Sequence, residues 1–252
     1  IHNNLGVVLY NQGRTEEAIK HYLQALRLKP DYALAHSNLS AAYAGSGMYK
    51  EAIEACKKAI KINPDFAEAH CNLGVAYGGS GKYKEAIEAF KQVIRIDPDY
   101  AEAHSNLGAA YAGSGMYKEA IEACKKAIKI DSDYAKAHYN LGVAYGGSGK
   151  YKEAAEAFQQ ALRIDPDDAQ THSNLGIAYA GSGKYQEATV AFKQAIRINP
   201  DYAKAHYNLG VAYGGSGKYK EAAEAYKQAL RINPDYADAH YNLGYAYVLS
   251  ND

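Results

Sequence analysis

The sequence predicts an all-α fold in which antiparallel helix pairs stack into a solenoid, and three observations support this prediction. Histidine recurs every 34 residues from His2 to His240, and only His21 lies outside the series. Proline keeps the same step from Pro30 to Pro234, interrupted only by Ser132. Each period contains two stretches of helically spaced apolar residues on either side of a short turn. A fixed period of this length indicates a repeat array.

The elements of one repeat follow in order along residues 67–100, AEAHCNLGVAYGGSGKYKEAIEAFKQVIRIDPDY. Each of its two helices has one apolar stripe. The stripes consist of His70, Leu73, Gly74 and Tyr77, and of Tyr83, Ala86, Phe90, Val93 and Ile94. Between them, Gly-Ser-Gly supplies the backbone angles that end the first helix. Asp99 and Glu102 fit the N-cap and third position of the next first helix. One pair cannot bury both stripes alone, so neighbouring pairs must stack.

The period divides the chain into a single array of seven repeats and a remnant. The repeats are 1–32 with a truncated first helix, 33–66, 67–100, 101–134, 135–168, 169–202 and 203–236, and the first helix of an incomplete eighth repeat is 237–252. Because the chain begins and ends within helix pairs, we expect it to be a fragment that can also associate end to end with a second molecule. The residues expected to be partly uncovered at its end are Leu243, Tyr247, Val248 and Leu249.

Alternate repeats are more alike than adjacent repeats. Residues 135–168 and 203–236 differ at four positions, whereas the adjacent repeats 33–66 and 67–100 differ at twelve. The alternation is concentrated at the end of the first helix, YAGSG against YGGSG, and at the residue before a recurrent asparagine.

Eight positions of the repeat resemble the tetratricopeptide repeat family, which has an aromatic residue, Leu, Gly, Tyr, Ala, an aromatic residue, Ala and Pro at this spacing. They are His70, Leu73, Gly74, Tyr77, Ala86, Phe90, Val93 and Pro98. The resemblance implies a right-handed superhelix whose first helices line the concave surface. Cys56 and Cys124 replace the second aromatic residue and Ser40 replaces one glycine, so we expect a less filled pocket in the second and fourth repeats.

An asparagine recurs on the side of each first helix opposite the apolar stripe, since Asn72 lies about 200° from His70 at 100° per residue. The series is Asn4, Asn38, Asn72, Asn106, Asn140, Asn174, Asn208 and Asn242. Asparagine is a mediocre helix former, so eight copies need a reason. The arrangement is similar to the asparagine ladder that holds protein substrates by their backbone in the tetratricopeptide superhelix of O-linked N-acetylglucosamine transferase.

Two interpretations of the asparagines stay open. Each amide can bond the backbone of an extended ligand, or it can bond the helix of the neighbouring repeat. In the first case, changing Asn106, Asn140 and Asn174 to alanine weakens ligand binding and leaves stability unchanged. In the second case, the same change lowers stability.

Other residues are expected to shape the groove. Tyr139 and Tyr207 precede two of the asparagines and offer flat apolar surface with a polar tip. The charged Lys136 and Lys204 are the alternative source of specificity. Small residues such as Gly78 and Gly79 are expected to leave room for a ligand backbone.

The glycine-rich GGSGKYKEA is not a phosphate-binding loop. Ala76 stands where that loop needs its first glycine, and Tyr83 where it needs the hydroxyl that ligates magnesium. We therefore expect no ATP or GTP at Lys82, Lys150 or Lys218. The recurrent histidines are about one helix spacing apart, too far for a shared zinc ion, so we expect no metal, no cofactor and no catalysis.

Composition limits the partners. The chain has 28 basic and 28 acidic residues, which disfavours nucleic acid, and no apolar run approaches the roughly 18 residues of a membrane span. Three cysteines without metal spacing indicate a reducing, cytoplasmic environment. We expect a scaffold that binds a protein or extended peptide along its groove. The alternatives are the substrate-recruiting arm of a larger glycosyltransferase similar to O-linked N-acetylglucosamine transferase, and a self-assembling scaffold.

Overall fold

The computed structural model describes residues 1–250, which form fifteen α-helices and no strand. The helices are α1 (His2–Asn11), α2 (Thr15–Leu28), α3 (Ala33–Gly45), α4 (Tyr49–Ile62), α5 (Ala67–Gly79), α6 (Tyr83–Ile96), α7 (Ala101–Gly113), α8 (Tyr117–Ile130), α9 (Ala135–Gly147), α10 (Tyr151–Ile164), α11 (Ala169–Gly181), α12 (Tyr185–Ile198), α13 (Ala203–Gly215), α14 (Tyr219–Ile232) and α15 (Ala237–Ser250). They belong to two compact units, Ile1–Ser132 with α1 to α8 and Asp133–Asp252 with α9 to α15.

Each unit is a stack of antiparallel helix pairs, with an odd-numbered first helix and an even-numbered second helix. In the first unit, Phe90 and Val93 of α6 pack with Leu107 of α7 in one buried cluster. In the second unit, Phe158 of α10 packs with Leu175 of α11 in the same register. Burial of both helical stripes against the next pair provides the hydrophobic stabilisation. The predicted all-α repeat fold is confirmed.

A glycine in the left-handed region closes the turn of each pair. Gly81 has a φ of 76°, and the N–H of the following Lys82 donates to the carbonyl of Tyr77 at 2.9 Å. This pattern satisfies carbonyl groups at the helix end that have no partner within the helix. The equivalent glycines, with φ between 73° and 80°, are Gly13, Gly47, Gly115, Gly149, Gly183 and Gly217. The predicted turn role of the glycines is confirmed.

The predicted N-cap is wrong by one residue. Tyr100, not Asp99, occupies the N-cap of α7, and its side chain makes no capping hydrogen bond. The ring packs against the buried cluster around Phe90 instead, so this position contributes burial rather than a cap. In α11 the tyrosine is replaced by Asp168, whose carboxylate accepts from the backbone N–H groups of Gln170 and Thr171, both at 3.1 Å.

Five first helices have a glycine that contacts an aromatic ring of the second helix in the same repeat. A Cβ on Gly74 would lie 2.6 Å from the ring of Phe90, which is closer than any real side chain allows. Where cysteine replaces the ring, the side chain is fully buried, since Cys56 and Cys124 are both 0% exposed. The lower local stability expected of the second and fourth repeats stays a prediction. Ser40 fits the second repeat because Cys56 is smaller than phenylalanine, and its hydroxyl donates to the carbonyl of Ser37 at 2.7 Å.

The exposed residues expected on the last helix are found there in part. Val248 is 74% exposed and Leu249 is 37% exposed, whereas Leu243 and Tyr247 are half-buried. Leu243 and Tyr247 pack against the cluster formed by Ala222, Ala223 and Tyr226.

Candidate functional site

The recurrent asparagines lie on the first helices, but several are less open than the sequence suggested. Asn106 and Asn140 are each only 6% exposed. The half-buried members are Asn38, Asn72, Asn174, Asn208 and Asn242, and Asn4 is exposed. For Asn106 and Asn140 the expectation of an exposed side chain is wrong, and for Asn106 the reason is that Cys71 of the preceding repeat lies over a helix face that spacing alone assigns to solvent.

Hydrogen bonds connect the asparagines to the residue 35 positions earlier, on the preceding first helix. Asn72 Nδ2 donates to the Ser37 hydroxyl at 3.0 Å, and Asn174 Nδ2 donates to the Tyr139 hydroxyl at 3.0 Å. The same contact joins Asn242 to Tyr207 at 3.0 Å, Asn38 to Asn3 at 3.0 Å, and Asn106 to the Cys71 sulfur at 4.0 Å. The residue that alternates between repeats is thus the acceptor of this bond. These amide nitrogens behave as the second interpretation expected.

One serine and asparagine pair with this 35-residue separation does not form the hydrogen bond. Ser173 and Asn208 are related in the same way as Ser37 and Asn72, yet Ser173 Oγ and Asn208 Nδ2 are both buried without a hydrogen-bond partner among the described residues. An unsatisfied buried polar atom costs about 1–3 kcal/mol. The polar groups of Ser173 and Asn208 are therefore less well hydrogen-bonded than those of Ser37 and Asn72.

Tyr139 and Tyr207 are packed rings rather than free platforms. The Tyr139 ring lies 5.8 Å from that of Phe158, and the Tyr207 ring lies 4.9 Å from that of Tyr236. Burial raises the pKa of both tyrosines, and each hydroxyl accepts a hydrogen bond from its asparagine. Their hydroxyl groups, rather than their faces, connect them to the asparagine row.

The structure brings Lys136 and Tyr139 together. Both line a pocket of about 350 Å³, to which Asp168, the N-cap of α11, and Gln170 in its first turn also belong. Gln170 Nε2 donates to the Tyr139 hydroxyl at 2.7 Å. Lys204 occupies the equivalent position at the start of α13 and is exposed.

In each unit an apolar row follows the asparagines one helical turn later, and within that unit the two rows form what we call the first-helix surface. Its larger exposed members are Val75, Val143, Ile177 and Val211, which are 42%, 37%, 38% and 38% exposed. In the second unit, Asn242, Val211, Gly214 and Tyr245 line one pocket of about 330 Å³ on this surface. Exposed apolar side chains that recur beside polar groups are typical of interaction sites.

The two adjacent glycines of this surface have different surroundings. A Cβ on Gly78 would meet no atom within 4 Å, so that position leaves open space. A Cβ on Gly79 would collide with the ring of Tyr49, which belongs to the preceding repeat. Gly215 meets Tyr185 in the same way, at 2.5 Å. The second glycine therefore makes room for a neighbouring tyrosine and not, as expected, for a ligand.

The recurrent histidines have a hydrogen bond that sequence reasoning missed. His104 Nε2 lies 2.9 Å from the carbonyl oxygen of Pro98, six residues earlier. The same contact, at 2.8–3.0 Å, joins His36 to Pro30, His70 to Pro64, His172 to Pro166, His206 to Pro200 and His240 to Pro234. The signal was present, because histidine and proline share one period at a constant separation. Among residues 1–250, no group of three or more His, Cys, Asp or Glu is placed to hold a metal ion.

A second feature that the sequence did not reveal is a crevice on another face of the first unit, of about 1160 Å³. We call it the His36 crevice. It lies between α2 and α4 over α3, and its lining includes Leu23, Leu26, His36, Leu39, Tyr43 and Ala55. Smaller cavities in the same register contain His70 with Ala89, and His206 with Ala225. The available signal was the small alanine that faces each of these histidines.

Family models identify the repeat. The model of the cilia and flagella-associated protein 70 C-terminal domain, a tetratricopeptide repeat module, matches residues 2–198, and a general tetratricopeptide repeat model matches 180–217 and 215–250. The chain belongs to the tetratricopeptide repeat family. Tetratricopeptide repeat proteins generally mediate protein–protein interactions.

Solved tetratricopeptide repeat structures are similar to this chain. The MamA structure is 31% identical with a TM-score of 0.59, and the match covers 66% of this chain and 97% of MamA. YrrB, described as a tetratricopeptide repeat protein with an unusual peptide-binding site, is 26% identical with a TM-score of 0.60, covering 75% of this chain and 97% of YrrB.

The similarity to a chain from a larger assembly supports only the fold of this protein. A chain of the APC/C hetero-tetramer Cut9-Hcn1 is 20% identical with a TM-score of 0.82 over 96% of this chain, which spans about half of that chain, 48%. No curated protein sequence matches the chain. Within residues 1–250, no helix is long and apolar enough to cross a bilayer.

Proposed function

We propose that this tetratricopeptide repeat chain is an interaction scaffold that binds an extended segment of a partner protein along its first-helix surface. The observation that carries the proposal is the row of exposed apolar side chains one turn after the asparagines. Val143, Ile177 and Val211 recur once per repeat in the second unit, each 37–38% exposed. A ligand that covers them removes apolar area from water, at roughly 25 cal/mol per Å².

The asparagines contribute an acceptor to this surface. The hydrogen bonds described for Asn72 and Asn174 run from Nδ2, so Oδ1 serves as the acceptor for a backbone N–H of the ligand. Helices pack about 8–10 Å apart and an extended chain advances about 3.3 Å per residue, so one asparagine meets roughly every third ligand residue. The proposed contact residues are Asn38, Asn72, Asn106, Asn140, Asn174, Asn208 and Asn242.

The remaining predicted residues have supporting roles. Tyr139 and Tyr207 hold Asn174 and Asn242 through their hydroxyl groups, and Lys136 and Lys204 meet acidic side chains of the ligand. The balance of 28 basic and 28 acidic residues supports a protein partner rather than nucleic acid. Three buried cysteines that form no disulfide among the described residues, Cys56, Cys71 and Cys124, support a reducing, cytoplasmic location. The scaffold binds its partner without chemistry of its own.

Peptide selection tests this proposal. Random peptides displayed on phage are selected on the chain, and their affinities are measured against a variant carrying Val143→Glu, Ile177→Glu and Val211→Glu. Carboxylates on the first-helix surface should weaken binding by at least about tenfold, since they remain hydrated where the ligand needs apolar contact. Val190→Glu is the matched control, because Val190 is 61% exposed on the second helix α12. Peptides that bind the triple variant as tightly as the parent would contradict the proposal.

The same assay tests whether the asparagines bind the ligand or only the helix of the neighbouring repeat. Asn174→Ala and Tyr139→Phe both remove the bond between Asn174 Nδ2 and the Tyr139 hydroxyl, so both lower stability. Only Asn174→Ala also removes Oδ1, and the loss of one hydrogen bond worth about 1 kcal/mol lowers affinity roughly fivefold. Equal affinities of the two variants for the peptide would show that the asparagines join neighbouring helices and do not bind the ligand.

A further inference from the structure

The apolar row of the second unit recurs with nearly constant exposure. Val143 of α9, Ile177 of α11 and Val211 of α13 are 34 residues apart in turn and are 37%, 38% and 38% exposed. Helix α11 contacts both α9 and α13. Helices in contact pack about 8–10 Å apart, so a ligand along this row meets an equivalent apolar side chain about every 8–10 Å.

A polyproline II helix matches this step, whereas a strand or an α-helix does not. It has three residues per turn and advances about 3.1 Å per residue, so the same face returns about every 9.3 Å. Every second residue of a β-strand shares a face, so the third residue, about 10 Å further on, points away from the row. An α-helix pairs its own N–H groups, which leaves none for the asparagine acceptors of the proposed function. A polyproline II backbone has no internal hydrogen bonds, so its N–H groups stay available.

One pocket beside this row has aromatic walls and no charge. It is the pocket of about 330 Å³ between α13, α14 and α15, and its aromatic residues are Tyr219, Tyr226 and Tyr245. Tyr226 is buried, whereas Tyr245 is 59% exposed. Gly214 in the same lining leaves open space, because a Cβ there would meet no atom within 4 Å. None of the residues that line this pocket carries a charge, so an uncharged ring fits better than an acidic or basic side chain.

We propose that the ligand of the first-helix surface in the second unit is an uncharged, proline-rich segment in the polyproline II conformation. One residue in three contacts the apolar row, and a proline ring enters the pocket beside Val211 and lies against Tyr245. Proline fits because its ring is apolar and fixes φ near about −65°, so little conformational entropy is lost on binding. A residue other than proline is needed in each turn, because proline has no N–H to donate to an asparagine Oδ1. This ligand assignment rests on the function proposed for the first-helix surface and adds the conformation and period of the ligand.

Short peptides test the conformation of the ligand. The probe repeats Pro-Pro-Ala and carries a fluorescent label, and its binding is measured by fluorescence anisotropy. Its mirror image, built from D-amino acids, has the same composition but forms a polyproline II helix of the opposite hand. A second control repeats Val-Ser and favours an extended strand. We expect the probe to bind at least about tenfold more tightly than either control, because only the probe presents one face of the correct hand to each repeat.

Substitutions in the pocket locate the probe. Tyr245→Ala removes an aromatic wall and Gly214→Val fills the open space, so each should weaken binding of the Pro-Pro-Ala peptide by at least about fivefold. Tyr241→Ala is the matched control, because Tyr241 lies on the same helix as Tyr245, is 77% exposed and does not line the pocket. Circular dichroism checks that the variants keep the helical content of the parent. Unchanged binding to both pocket variants would place the peptide elsewhere and overturn the proposal.

The peptides also separate this ligand assignment from the proposed function. Tight binding of the probe alone, lost on the chain with Val143→Glu, Ile177→Glu and Val211→Glu, supports both. If the Val-Ser peptide binds as tightly as the probe and both are lost on that triple variant, the first-helix surface binds an extended ligand but the polyproline II assignment is overturned. Equal binding of the mirror-image peptide overturns the assignment as well. If none of the peptides binds, the assignment is overturned, while peptides selected on phage test the proposed function on their own.

Discussion

At the residue scale, glycine and its facing ring determine how closely the two helices of a repeat approach. Gly74 meets Phe90, Gly142 meets Phe158, and in each case a Cβ would lie 2.6 Å from the ring. The one serine at this position, Ser40, faces Cys56 instead of a ring. The departures at 40 and 56 therefore compensate each other, although sequence comparison treats them as separate defects.

This compensation predicts a coupled pair of mutations. Gly74→Ser should destabilise the chain by about 1–3 kcal/mol, because the new side chain overlaps the Phe90 ring. In the Phe90→Cys background, the same change should cost much less, since it reproduces the Ser40 and Cys56 pair. Urea unfolding of the parent, both single variants and the double variant measures the coupling. Equal costs in the two backgrounds would show that the ring does not exclude the side chain.

At the element scale, the first helices mostly begin without a side-chain cap. Tyr32, Tyr100 and Tyr202 occupy N-caps and make no capping hydrogen bond. Only α11, among the helices with a described N-cap, begins with a carboxylate that accepts from two backbone N–H groups. The helices without caps are held by packing against neighbouring pairs, the main source of helix stability in proteins.

The cap at α11 gives a prediction that distinguishes Asp168, which caps its helix, from Asp99, which does not. Asp168→Ala should lower the free energy of unfolding by about 1 kcal/mol, since it leaves the N–H groups of Gln170 and Thr171 unpaired. Asp99→Ala should change it by less than about 0.5 kcal/mol, because Asp99 is exposed and does not cap α7. Thermal and urea unfolding measure both. A larger effect at Asp99 would restore the N-cap that the sequence predicted.

At the scale of the whole molecule, each compact unit buries ionisable hydroxyl or thiol groups. Burial raises the pKa of three tyrosines to about 12, and that of two cysteines to about 11 and about 12. These groups are Tyr22, Tyr100 and Tyr226, and Cys56 and Cys124. In the unfolded chain they ionise at lower pH, so the unfolded state loses protons first.

This difference predicts alkaline unfolding. Because the folded pKa of Tyr22 and Tyr226 is about 12 against an ordinary value of 10.0, stability is fully present below about pH 10 and is lost as pH rises to about 12. Tyr22→Phe with Tyr226→Phe should reduce the fall in melting temperature over this window. Phenylalanine already occupies the same position at Phe90 and Phe158. Tyr241→Phe is the control, since Tyr241 is 77% exposed, and an equal effect of this control would contradict the prediction.

Much of the fold could be predicted because its signals are local and recur. Helical spacing placed Tyr77 and Phe90 on buried or half-buried stripes, and glycine chemistry predicted the turn at Gly81, which has a φ of 76°. Less of the candidate site could be predicted. The asparagine row was recognised from spacing, but the burial of Asn106 and the orphan Nδ1 of His36 were not.

The sequence by itself determined the repeat length, the helix pairs, the turn glycines and the family, because each depends on residues within one 34-residue period. Only the tertiary structure decided which atoms of neighbouring repeats meet. Asn72 Nδ2 bonds Ser37, Gly79 makes room for Tyr49, and Ala55 leaves a crevice beside His36. These contacts join residues on different helices, and the rotation and translation of one helix against the next follow from side-chain packing rather than from spacing along the chain.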